Sequence, residues 1–77
     1  MVTKEYLREF ARFLDEASDA EIERRIKICE DSIHRLSVAK VPQKALVGDL
    51  KFLLRRVREE QAARAEVKAL ADLRKAS

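Results

Sequence analysis

PQKALVGDLKFLLRRVREEQAARAEVKALADL, residues 42–73, is the stretch whose reading decides the fold. Leu46, Leu50, Leu53 and Val57 recur in it at four-three-four spacing, which gathers them on one face of a helix. Pro42 suits the first turn of that helix and disfavours helical geometry at Val41. Gly48 interrupts the run at a cost near ~1 kcal/mol against alanine. Leu46 and Leu50 share a face across the glycine, which favours one continuous helix over a break capped by Asp49. The spacing therefore predicts a third helix over about 42–73.

Two further faces of this helix carry the functional expectations. Lys44, Lys51, Arg55 and Arg58 fall within a narrow sector with no carboxylate between them, and only Glu59 borders it. Like charges four residues apart repel by a few tenths of a kcal/mol, so the stripe asks for a reason. Its stems can cover apolar surface opposite carboxylates of the other helices. It can also meet an acidic protein partner or the phosphates of a nucleic acid. Beyond Val57 the apolar register turns. Ala63, Val67 and Leu70 line up with Phe52, about 90° round the helix by the ~100° step per residue. A helix of this length reaches about 45 Å at ~1.5 Å per residue, further than its neighbours can cover. Either the alanine-rich end frays from about Leu70, or Phe52, Ala63, Val67 and Leu70 pair with a second copy, which makes them the candidate self-association face.

Working outward, residues 38–41 form a short connection, and helices joined so briefly lie antiparallel. The preceding helix is predicted over 19–38. Ile22, Ile26, Cys29, Ile33 and Leu36 make a narrow apolar seam along it. Its charges fall into pairs four residues apart: Glu21–Arg25, Glu23–Lys27, Lys27–Asp31, Glu30–His34 and Asp31–Arg35. Ile28 is apolar but off the seam, placed to pack on the first helix or to edge a dimer contact. Ser18-Asp19-Ala20-Glu21 fits a capping box, in which Ser18 caps the Glu21 amide and the Glu21 carboxylate reaches back to the Ser18 amide. The first helix is predicted over 4–16, with Thr3 as cap and Glu5 at the positive end of its dipole. Tyr6, Leu7, Phe10, Phe13, Leu14 and Ala17 share its broad apolar face.

The composition agrees. Of 77 residues, 47% are hydrophobic and 40% charged, too apolar for an ordinary disordered chain and too charged for a membrane protein. One domain spans residues 1–77, and no β-branched or aromatic run suggests a sheet. The expected fold class is all-α, a small three-helix antiparallel bundle or hairpin with an elongated C-terminal helix. With no apolar run near ~18 residues and no signal-like start, the expectation is a soluble cytoplasmic chain without membrane contact.

Chemistry is sparse. One glycine cannot build a phosphate-cradling loop. One cysteine allows no intrachain disulfide and no all-cysteine metal site. Cys29 reads as a small buried filler and His34 as surface, on different faces. No carboxylate pair lies on an apolar face, where acid–base work would want it. The chain is thus expected to be no enzyme, with no cofactor, metal or small-molecule substrate. The net charge of +3 allows an acidic protein or nucleic acid without requiring either. Chains below ~70–80 residues rarely bury a sufficient core alone, which makes a homodimer the default. The expected function is a small protein–protein interaction module: an adaptor, regulator or inhibitor that self-associates. The alternatives are a nucleic-acid-binding regulator using the basic face and a structural coiled-coil subunit of a larger assembly.

Overall fold

Local hydrogen bonds set where the helices begin. The computed structural model describes residues 3–41 and 43–76 and is all-α. Helix α1 spans Lys4–Glu16, α2 Asp19–Ser37 and α3 Lys44–Ala76. Thr3 caps α1, its Oγ1 accepting from the Tyr6 amide at 3.1 Å. Ser18 caps α2, its Oγ accepting from the Glu21 amide at 3.2 Å. The return half of the expected box differs: the Glu21 carboxylate accepts from the Ser18 hydroxyl at 3.1 Å, and not from its amide. Either cap satisfies an orphan donor of the first turn and contributes about 1 kcal/mol. Val38 closes α2, donating its amide to the His34 carbonyl at 3.2 Å. Helix α3 is continuous through Gly48 and reaches three residues past the expected end at Leu73. Pro42, expected in its first turn, lies outside the described residues.

Helices α2 and α3 run antiparallel. Arg58 meets Glu30, and six residues further along α3 Arg64 meets Asp19, eleven residues back along α2. One core joins all three helices. Phe10, Leu14 and Ala17 come to it from α1 and its cap, Ile22, Ile26 and Cys29 from α2, and Leu53, Leu54 and Val57 from α3. Ile22 and Val57 are almost fully buried. Phe13 and Ile33 pack on the edge of this cluster. No polar or charged side chain is buried among the described residues.

Three expectations about packing need correction. The core stripe of α3 is broader than four-three-four spacing implies: Leu54 is buried beside Leu53 in the same core cluster. Leu46, beside the connection between α2 and α3, stays 39% exposed, and Tyr6 and Leu7 at the start of α1 are exposed to a similar degree. None of the five intrahelical ion pairs expected on α2 closes among the described residues. Such exposed pairs are worth only a few tenths of a kcal/mol each, and tertiary partners displace them. Arg25 lies over the Phe13 ring at 4.5 Å, and Glu30 crosses to Arg58.

The molecule measures 56 × 27 × 16 Å along its principal axes. Helix α2 is about 28 Å long and α3 about 50 Å at ~1.5 Å per residue. The excess projects beyond the bundle: every side chain from Ala65 to Lys75 is exposed.

Candidate interaction surfaces on α3

Arg64 joins α3 to the corner between α1 and α2. Its guanidinium Nη2 donates to the Leu14 carbonyl at 2.8 Å, Nη1 to Asp19 Oδ1 at 2.9 Å and Nε to Glu60 Oε1 at 3.0 Å. Leu14 lies in the last turn of α1, where carbonyls lack helical partners, and that turn has no basic residue of its own. Asp19 is the first residue of α2, at its positive end. One side chain of α3 thus clasps the α1–α2 corner and complements both helix ends. The bonds to Asp19 and then Glu60 raise the Arg64 pKa above its ordinary value. Sequence reasoning missed this residue because periodicity tracks apolar positions. A signal was nevertheless present: Glu60 and Arg64 continue the three-four step of Leu46, Leu50, Leu53 and Val57, so an arginine stands where the core stripe predicts a leucine.

The candidate self-association residues are all at the surface. Phe52 is 49% exposed, Val67 67% and Leu70 56%, and Ala63 is exposed as well. Val67, Leu70, Ala71 and Arg74 line a shallow groove on the projecting part of α3. Arg56 and Glu59 sit on the same side, 3.5 Å apart as an exposed ion pair. Ile28 stays half-exposed on α2 and does not enter the core.

The basic stripe divides in two. Arg58 is paired across the hairpin with Glu30 at 3.3 Å. Lys44, Lys51 and Arg55 are exposed, and none has an ion-pair partner among the described residues. Lys44 and Lys51 flank a groove of about 320 Å³ whose other walls are Leu36, Ser37, Val47 and Gly48.

Cys29 is buried in the core, and burial raises its thiol pKa, with a smaller lowering by Arg25. His34 is exposed on the far part of α2. Among the described residues no cluster of His, Cys, Asp and Glu is arranged to hold a metal ion, and no helix is long and apolar enough to cross a membrane.

No protein-family model matches the chain, and no curated protein or solved structure shows significant similarity to it.

Proposed function

We propose that the chain is a small non-catalytic protein–protein interaction module that self-associates through α3. The observation that carries this reading is the apolar face of Phe52, Ala63, Val67 and Leu70 on a helix whose last third has left its own bundle. Exposed apolar side chains at helical spacing fit a facing helix. A second copy matches in an antiparallel arrangement with its two-fold axis near Gln61. Phe52 then meets Leu70 of the second copy, and Arg56 meets Glu66 of the second copy. The small Ala63 lies close to the axis, where the helices approach most nearly. Each contact occurs twice, as a closed two-fold interface requires. Sedimentation equilibrium tests the proposal: the mean mass should rise from monomer toward dimer as concentration is raised to about 1 mM, the range that the exposed area supports.

A further inference from the structure

Gly48 has no explanation within its own chain. It lies inside a continuous helix, so it neither caps nor breaks one. Its φ is not positive. A Cβ placed on it would meet nothing within 4 Å, so no neighbouring element needs the space. Its cost to the helix is thus left without an intramolecular return. Gly48 also sits at a particular place: Lys44, Gly48, Lys51 and Arg55 follow four-three-four spacing. The glycine is a gap in the stripe of three cations that lack partners within the described residues. The groove it opens is flanked by Lys44 and Lys51, with Leu36 and Val47 as apolar walls. At about 320 Å³ and open to solvent, it is at the small end for a small-molecule pocket and suits one or two side chains.

We infer that this groove is a docking site for a carboxylate-rich helix of a partner protein. That helix lays a small or medium apolar side chain over Gly48, between acidic residues that pair with Lys44, Lys51 and Arg55. Charge complementarity fixes the sign of the partner, since the stripe carries positive charge unanswered by α1 or α2. The apolar walls select a protein over a nucleic acid, because a phosphate backbone offers nothing to cover Leu36 and Val47. With Arg58 already engaged by Glu30, few cations remain for phosphates, and no aromatic side chain stands among them for base stacking. The site is independent of the self-association face, which lies about 100° round α3 by the ~100° step per residue.

The test uses the full chain and a designed amphipathic peptide of about eighteen residues. Its glutamates match the spacing of Lys44, Lys51 and Arg55, and alanine and leucine lie between them. Backbone amide shifts should centre on Leu36, Ser37 and residues 44–55. Gly48→Leu fills the groove while replacing a poor helix former by a good one. It should keep the helical circular dichroism and a melting temperature at least that of the parent, yet bind the peptide about tenfold more weakly or worse. Lys51→Glu with Arg55→Glu should abolish binding. Absence of shifts in the parent chain at about 1 mM peptide overturns the inference. So does equal binding by Gly48→Leu. Duplex DNA binding that falls steeply with salt and survives Gly48→Leu would assign the stripe to phosphates and overturn it as well.

Discussion

The double substitution Val67→Glu, Leu70→Glu should abolish self-association without unfolding the chain. Fully burying a side chain of this class contributes about 1.5–3 kcal/mol. Phe52, Val67 and Leu70 already hide part of their surface and expose 49%, 67% and 56% of it. Each therefore retains about 1.2 kcal/mol for a partner to recover. Six such side chains in a dimer give about 7 kcal/mol, and the two Ala63 side chains, with each Arg56 shared between its own Glu59 and Glu66 of the second copy, bring this to about 9. Association of two preformed helices costs at least ~4–5 kcal/mol in lost freedom. The remainder, near 4–5 kcal/mol, corresponds to a Kd of roughly 0.5 mM. The two glutamates remove about two-thirds of that ~7 kcal/mol apolar gain and place four carboxylates in the interface. The variant should therefore be monomeric throughout, while the parent associates between about 0.1 and 1 mM. Glutamate is a good helix former, so the circular dichroism should not change. Sedimentation equilibrium on both proteins checks this. A parent chain that stays monomeric at 1 mM, or a variant that associates as the parent does, would refute the reasoning.

Other expectations follow from the core and the clasp. Arg64→Ala should lower the melting temperature by more than Arg64→Lys or Asp19→Asn, because it releases the Leu14 carbonyl as well as both carboxylates; equal melting temperatures for Arg64→Ala and Asp19→Asn would show that the carbonyl bond contributes nothing. Ile22→Ala should cost about 3 kcal/mol in urea unfolding, since the side chain is 1% exposed and belongs to the core cluster. The Cys29 thiol has a folded pKa raised above its ordinary 9.0 by burial. Its contribution is complete below that pH and is lost as pH rises through the folded value, because the unfolded chain ionises first. Stability should thus fall above pH 9 in the parent and fall less steeply in Cys29→Ala, measured by urea midpoints across the alkaline range.

The parts of this fold legible from sequence are those decided within a turn or two of chain. The Thr3 and Ser18 caps depend on residues three positions away, and both are in place. The α2 seam was legible because Ile22, Ile26 and Cys29 recur at helical spacing among mostly charged residues, with Ile28 off the seam and exposed. Legibility fails where partners are distant. Arg64 reaches Asp19 and Leu14, 45 and 50 positions away, and no local rule ranks those bonds against its neighbour Glu60. The same blindness made the α2 ion pairs look settled, when Glu30 and Arg25 had better partners on α3 and α1. The candidate surfaces were legible as residue sets, since exposure follows from the helical step. Which cation is neutralised depends on the neighbouring helix: among the described residues, Arg58 alone of the basic stripe is ion-paired with a carboxylate.

The magnitudes also change the reason for expecting a second copy. Small size suggested that association must supplement a thin core. A dimer with a Kd near 0.5 mM adds almost nothing to stability at micromolar concentration, because linkage stabilises only when the partner exceeds its dissociation constant. The fold must therefore stand on the nine apolar residues buried among the described ones and on the Arg64 clasp, and both lie on the same side of the point where α3 leaves α2. Substituting Arg64 by leucine would extend the apolar stripe toward the projecting part while leaving the Leu14 carbonyl and Asp19 without their donor. An arginine at this position ends the core and lets α3 continue past it as a solvated helix. Among the described residues the projecting part adds no side chain to the buried core.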